Sequence, residues 1–153
     1  MGNENVKYIV EFDGNDGTGK TYTIKVLSKV FPNCIFIDRG LFSKATLLSD
    51  ENDEMYKYID DNIDMNRIYI ILDDYPEHCQ MLIKRRGDSI EEKYHTIEDL
   101  EYYRKQFTNL YGYCCKKNYD NVYLVTRLLP DHVQVMIDII KKFTNFNKEN
   151  NNE

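Results

Sequence analysis

Short runs of apolar residues recur along the chain and predict four strands. They cover residues 7–13, 34–38, 67–73 and 121–125. Each run is rich in β-branched and aromatic residues and is too short for a buried helix, which is typical of strands that are buried on both faces of a sheet. The pattern therefore predicts a sheet of about four strands.

Between these runs, apolar residues repeat at the spacing of a helix. Residues 20–31, for example, place Ile24, Leu27 and Phe31 on one face of a predicted helix. Similar patterns predict helices that begin near residues 41, 53, 76, 96 and 130, the last of them ending at residue 143.

Strands that alternate with helices predict a parallel sheet covered by helices on both faces. We therefore expect one three-layer α/β/α domain that spans residues 1–143. Residues 88–95 carry charge without an apolar repeat and are predicted to form a mobile loop. Residues 144–153 are polar, have little to bury and are predicted to form a disordered tail.

The turn between the first predicted strand and the first helix contains a phosphate-binding motif. Residues 14–21 read G-N-D-G-T-G-K-T, which matches G-x-x-x-x-G-K-[ST] at every defined position. Its glycines allow successive N–H groups to surround a phosphate, and the helix that follows adds its positive end. Lys20 is expected to reach the β- and γ-phosphates, and the Thr21 hydroxyl to take one position around Mg²⁺. The alternative is a glycine-rich surface turn, but the order of strand, loop and helix favours a P-loop NTPase fold. The predicted nucleotide contacts are Gly14, Asn15, Asp16, Gly17, Thr18, Gly19, Lys20 and Thr21.

Two further groups of charged residues lie where a nucleotide could contact them. Asp38 and Arg39 follow the second predicted strand, and the carboxyl ends of parallel strands line the ligand crevice in such sheets. A surface turn is the alternative for this pair. Lys84, Arg85 and Arg86 end a predicted helix, where they complement the helix dipole or reach a phosphate.

Composition and charge exclude several classes of protein. The formal net charge of −6 argues against a nonspecific nucleic-acid binder, and no apolar stretch approaches the ~20 residues that span a membrane. The first five residues are polar and do not resemble a signal peptide. The cysteines and histidines lack zinc-ligand spacing, so we expect reduced cysteines, a cytoplasmic location and no metal beyond the nucleotide's magnesium. A homodimer is left open.

Several of these segments together resemble the thymidylate kinases and the related deoxynucleoside kinases. Residues 12–21 are similar to the family's loop, F-E-G-x-D-G-x-G-K-[ST], and residues 37–39 to its Asp-Arg strand end. Residues 72–87 are similar to the family's strand and helix before the lid, which would cover about residues 84–97 here. Residues 100–107 resemble the helix after the lid. The resemblance covers most of the chain, and only the loop is specific by itself.

The resemblance implies ATP- and Mg²⁺-dependent phosphoryl transfer to a (deoxy)nucleoside monophosphate. Asp16 would approach the 3′-hydroxyl of the acceptor sugar, and Arg39 would hold phosphate between donor and acceptor. Asp38 would position Mg²⁺ or water, and Arg85 or Arg86 would close over the transferring phosphoryl group. The other implied contacts are Arg104 with the acceptor or the lid and Arg127 beside the donor base.

The chain departs from the family in one place. Family members carry a further strand and helices between the first helix and the Asp-Arg strand, and these contact the acceptor base. Here Phe31 and Cys34 are nearly adjacent. Residues 41–66 and the strand after them are available as a substitute, with candidate contacts at Phe42, Lys44, Tyr56 and Arg67.

Three alternatives to the nucleoside monophosphate kinase remain open at this point. A nucleoside kinase and a polynucleotide 5′-kinase would keep the same loop and change the acceptor. The third alternative is a catalytically inactive nucleotide-binding regulator, which the missing segment favours.

Overall fold

The computed structural model describes residues 7–87 and 95–151. Its strands are β1 (Tyr8–Gly14), β2 (Cys34–Asp38), β3 (Ile68–Asp73) and β4 (Val122–Thr126). Its helices are α1 (Lys20–Val30), α2 (Leu41–Leu48), α3 (Asn52–Asn62), α4 (Pro76–Arg85), α5 (Ile97–Lys116) and α6 (His132–Asn151). The predicted mobile loop at 88–95 lies outside the described residues except for its last residue, and so does half of the predicted lid at 84–97.

The described strands form one sheet in the order β2-β1-β3-β4, and every neighbouring pair is parallel. This confirms the predicted α/β fold with a parallel sheet of four strands. The register brings the carboxyl ends together, since Phe12 lies beside Asp38 and Gly14 lies beside Leu72. The glycine loop and the polar residues that follow the other strands therefore meet at one edge of the sheet.

Helices cover both faces of the sheet and give it two cores. On one face, Tyr69 and Ile71 of β3 pack with residues of α2, α3 and α5. On the other face, Ile68 and Ile70 pack with residues of α1 and α6. These side chains are at most 1% exposed, and burying one aliphatic side chain of this size contributes about 1.5–3 kcal/mol. The alternation along β3 thus produces the predicted three layers.

Two acidic side chains of β1 hold the start of α2, a feature that the sequence analysis did not predict. Glu11 Oε1 accepts a hydrogen bond of 2.8 Å from the N–H of Leu41. Asp13, which is fully buried, accepts at 2.8–3.2 Å from the backbone N–H groups of Gly40, Phe42 and Ser43. Burial raises the pKa of Asp13 above its ordinary value, although hydrogen bonds from α2 oppose the shift. Because a Cβ on Gly40 would lie 1.9 Å from Glu11 Oε1, this close approach requires glycine.

The ends of two helices show how far local patterns determine helix limits. Thr96 caps α5, since its Oγ1 accepts a 3.1 Å hydrogen bond from the N–H of Asp99, as the capping sequence predicted. Helix α6 continues beyond the predicted end at Phe143 to Asn151, so it includes residues 144–151 of the predicted tail. No glycine or proline lies in this stretch to end the helix.

Candidate functional site

The loop between β1 and α1 has the backbone conformation that the motif predicted. Gly14, Gly17 and Gly19 have φ angles of 130°, 80° and 80°, a region that residues with side chains rarely adopt. A Cβ on Gly17 would lie 2.2 Å from the carbonyl oxygen of Cys79. Only glycine therefore lets the loop pack against α4.

Lys20 crosses the inside of this loop. Its Nζ donates hydrogen bonds to the carbonyl oxygens of Gly14 at 2.9 Å and Asn15 at 2.7 Å, and the residue is 6% exposed. Burial and the neighbouring Arg39 guanidinium lower the pKa of Lys20 to about 8, although nearby carboxylates oppose this shift. A phosphate bound here would bring negative charge beside the ammonium group and favour its protonated form.

Two side chains of the loop are used to shape it. Thr18 Oγ1 donates to the carbonyl oxygen of Asn15 at 2.7 Å, and Asn15 Nδ2 donates to the carbonyl oxygen of Leu100 in α5, also at 2.7 Å. Both loop residues are buried. We therefore expect them to contact a nucleotide through their backbone N–H groups and not through their side chains.

Thr21 and Asp38, the predicted magnesium ligands, lie side by side. Thr21 Oγ1 donates to Asp38 Oδ2 at 3.3 Å, although the two residues come from α1 and β2. A hydroxyl and a carboxylate are hard oxygen donors of the kind that Mg²⁺ accepts together with phosphate oxygens and water. The pair therefore fits the metal ion that a nucleotide would bring.

Arg39 is held in an unusual backbone conformation at the end of β2. Its φ of 64° lies in the left-handed region, which costs a residue other than glycine about 1–3 kcal/mol. The N–H of Arg39 donates to the carbonyl oxygen of Phe12 at 2.8 Å, which fixes the turn beside β1. Its side chain reaches the loop and forms an ion pair with Asp16.

Asp16 has a second partner that the sequence analysis missed. Its Oδ2 lies 2.8 Å from Nε2 of His95, a residue 79 positions further along the chain. Burial alone would raise the pKa of Asp16, but the hydrogen bond from His95 and the charges of Arg39 and Lys20 hold it below its ordinary value. No local pattern could have identified His95, because the contact exists only after α4 and α5 have packed.

The loop faces a cavity of about 530 Å³, which we call the loop cavity. It is lined by the loop, the ends of β2 and β4, and the last turn of α4. The predicted site residues that it brings together outside the glycines are Asp16, Lys20, Thr21, Asp38, Arg39, Arg85, Arg86 and Arg127. Most of the predicted site residues thus line the loop cavity.

A second cavity of about 190 Å³, which we call the side cavity, lies between the loop, α2 and α5. Asp16 and Arg39 line both cavities and separate them. The other side chains around the side cavity come from the two helices, and they are Ser43, Lys44, Thr46, Leu47, Tyr103 and Phe107. The cavity therefore has a polar end at the loop and an apolar end between the helices.

Only one of the four residues considered as substitutes for the missing segment lines the side cavity. That residue is Lys44. Phe42 is fully buried in the core, Tyr56 stacks on another tyrosine, and Arg67 forms a 2.8 Å ion pair with Glu11. Helix α2 turns Phe42 toward Tyr69 of the sheet. Its residues Ser43, Thr46 and Leu47 line the side cavity instead.

Two predicted arginines bind protein groups in the structure. Arg104 lines neither cavity, and its Nε and Nη2 bind the two carboxylate oxygens of Asp73 at 2.8 and 3.1 Å. Tyr103, the residue before it, faces the side cavity. Arg127 lines the loop cavity, and its Nη1 donates to the carbonyl oxygen of Gly17 at 3.3 Å.

Within residues 7–87 and 95–151, no three or more His, Cys, Asp or Glu side chains cluster as metal ligands. A nucleotide-bound Mg²⁺ needs only one or two protein ligands, so this finding does not bear on the Thr21–Asp38 pair. In the same residues, no helix has both the length and the apolar character to cross a membrane.

The chain was also compared with known proteins. Neither the family models nor the curated proteins include a match to it.

Proposed function

We propose that this protein is a thymidylate-kinase-like enzyme that uses ATP and Mg²⁺ to phosphorylate a (deoxy)nucleoside monophosphate. One observation carries the proposal: two cavities meet at Asp16 and Arg39, and the phosphate-binding loop forms the edge of both. A transferase needs two ligands in contact at their reacting ends. A protein that only binds a nucleotide needs one cavity.

The loop cavity suits the donor. The inward-facing loop and Lys20 would hold the β- and γ-phosphates of ATP. Thr21 and Asp38 would hold Mg²⁺, which when bound neutralises phosphate charge. Arg85 and Arg86 line the same cavity at the end of α4, so either guanidinium could neutralise charge on the transferring group.

The side cavity suits the acceptor. Its apolar end, between Leu47, Tyr103 and Phe107, would take the nucleobase, and Asp16 at its polar end would accept a hydrogen bond from a sugar hydroxyl. Arg39 lies between the cavities and would bind the acceptor phosphate. An oxygen of the acceptor's phosphate would attack the γ-phosphorus of ATP. The bond between the γ-phosphorus and the oxygen that links it to the β-phosphate would break, which gives ADP and a nucleoside diphosphate.

We further propose that the enzyme works in the cytoplasm. Its four cysteines are unpaired in the structure, which suits a reducing compartment. Both nucleotide substrates are cytoplasmic metabolites.

The test is an acceptor panel. Purified protein is incubated with γ-labelled ATP, Mg²⁺ and each common ribo- and deoxyribonucleoside monophosphate, with bare nucleosides and a 5′-hydroxyl oligonucleotide as further acceptors. We expect label to appear in a nucleoside diphosphate, and Lys20→Ala protein to give none. Label in a monophosphate or on the oligonucleotide would replace the proposal with one of the other two kinases. ATP binding without any labelled product would favour the regulator.

A further inference from the structure

The carboxylate of Asp16 has one exposed partner and one buried partner. Oδ1 pairs with Arg39, whose side chain is 58% exposed, whereas Oδ2 binds Nε2 of His95, whose side chain is 9% exposed. An ionised carboxylate can only accept hydrogen bonds, so Nε2 of His95 carries the proton in this contact. The Asp16 side chain itself is only 13% exposed. Its charge therefore depends on protein partners more than on water.

His95 is held independently of Arg39. Its backbone carbonyl oxygen accepts a 3.1 Å hydrogen bond from Nε2 of Gln80 on α4. It directly precedes Thr96, which caps α5. The backbone of His95 is thus anchored by two helices, while Arg39 comes from the end of β2.

Under the proposed function, Arg39 serves two partners, since its Nη2 pairs with Asp16 and its guanidinium would also bind the acceptor phosphate. If the guanidinium turns so that Nη2 binds the phosphate as well, the ion pair with Asp16 is broken. When the guanidinium turns to the phosphate, Asp16 keeps its charge in a mostly buried position. A buried carboxylate that loses its only partner is strongly destabilised, so the transfer of Arg39 is easier if a second partner remains.

We propose that His95 is a positioning residue that holds Asp16 in place when Arg39 leaves it for the acceptor phosphate. This inference rests on the proposed function, because it requires an acceptor beside Asp16 and Arg39. His95 touches neither the phosphates nor Mg²⁺ in this role. It keeps the carboxylate aimed at the acceptor sugar and lowers the cost of releasing Arg39.

The kinetic test uses His95→Ala, His95→Gln and the same Ala change in an Asp16→Ala background, which removes the acceptor of the His95 hydrogen bond. We expect His95→Ala to lower kcat/KM for the acceptor about 10- to 100-fold, the range for loss of a positioning contact, with ATP affinity unchanged. His95→Gln, whose amide can donate to Asp16, should recover most of the loss. In the Asp16→Ala background the His95→Ala change should add less than about threefold, because the two residues act as one unit.

Equal losses in both backgrounds would overturn the proposal, since they would show that His95 acts through the fold and not through Asp16. Wild-type kinetics in His95→Ala protein would overturn it as well. The acceptor panel on wild-type protein identifies failure of the proposed function separately, because that failure appears before any variant is made.

A second measurement needs no turnover. The Nε2–H proton of His95 can be observed by ¹⁵N-edited NMR, and we expect its hydrogen-bonded signal in wild-type protein to persist in Arg39→Ala and to disappear in Asp16→Ala, which removes the acceptor. If Arg39→Ala also removed the signal, the position of the Asp16 carboxylate would depend on Arg39 and not on His95. That result would overturn the proposal even if no acceptor were found.

Discussion

The loop cavity and the side cavity are built in different ways, although they share Asp16 and Arg39. Much of the loop cavity comes from one continuous stretch, residues 14–21, and its conformation follows from local glycines and one lysine. The side cavity needs α2 and α5, which are about 60 residues apart in the chain and contact each other only once the domain has folded. A motif can therefore encode the loop, whereas the rest of the loop cavity and the side cavity depend on tertiary packing.

This difference has a functional meaning. A phosphate is the same in every nucleotide, so a compact backbone motif is enough to bind it. Acceptors differ in their bases and sugars, and a cavity lined by side chains from separate helices can vary with them. We therefore expect changes to the loop to abolish all activity, and changes to the side cavity to alter only acceptor use.

The largest effect is expected from Lys20→Ala. Loss of the ammonium group that closes the loop should lower phosphoryl transfer by about 10³-fold or more, as for other contacts that neutralise charge during the transfer. Lys29→Ala is the matched control, because Lys29 is an exposed lysine in the last turn of the same helix. Phosphoryl transfer and circular dichroism of both variants would be measured. Comparable activity in the two variants would remove Lys20 from the mechanism.

Arg39→Ala should have the next largest effect, with turnover falling about 10²-fold, as for loss of one donor to the transition state. The residue has φ of 64°, so Arg39→Gly is a useful companion that relieves the backbone strain. Steady-state kinetics should show the same loss of kcat in both variants, with little change in ATP affinity. If only the Ala variant lost activity, backbone strain and not the missing guanidinium would be the cause.

The fold could be predicted because its signals are local. The four apolar runs, the helical repeats and the Thr96 cap each lie within a short window, and alternation of strands and helices then leaves few topologies. The loop geometry was predictable for the same reason. The continuation of α6 past Phe143 was missed because composition, which is a weak guide to a helix end, was used in the absence of a stop signal.

The side cavity and the buried acids could not be predicted, because their partners are distant in sequence. Asp13 reads as the end of a strand, yet it caps a helix about 30 residues later. Arg104 lies in the segment that resembles the family's helix after the lid. No pattern in the neighbouring sequence shows that Nε and Nη2 of Arg104 will both bind Asp73. His95 lies at the end of a stretch that reads as a charged loop. Each of these roles depends on a contact that forms only when distant segments pack together in the fold.

A smaller effect follows from the pKa of Lys20. Since this pKa is lowered to about 8, the ammonium form predominates below pH 8 and is lost as the pH rises through that value. We expect the apparent Kd for ATP with Mg²⁺ to rise about tenfold between pH 7.5 and 9, because the protonated fraction falls up to tenfold per unit above the pKa. Calorimetry would measure it, with Lys20→Arg as the control, since a guanidinium does not titrate in this range. An equal rise in that variant would assign the pH dependence to another group.

The smallest effect tests the side cavity, and the chain supplies a closely matched pair for it. Leu47 and Leu48 are adjacent at the end of α2 and are 62% and 61% exposed, but only Leu47 lines the side cavity. Leu47→Ala should raise the acceptor KM about threefold to tenfold, because truncation removes roughly 1 kcal/mol of apolar contact with the base. Leu48→Ala should leave it unchanged, and neither variant should alter ATP affinity. Equal acceptor KM values in the two variants would place the base outside the side cavity, and the division of labour between the two cavities would fail while the role of Lys20 in the loop would remain.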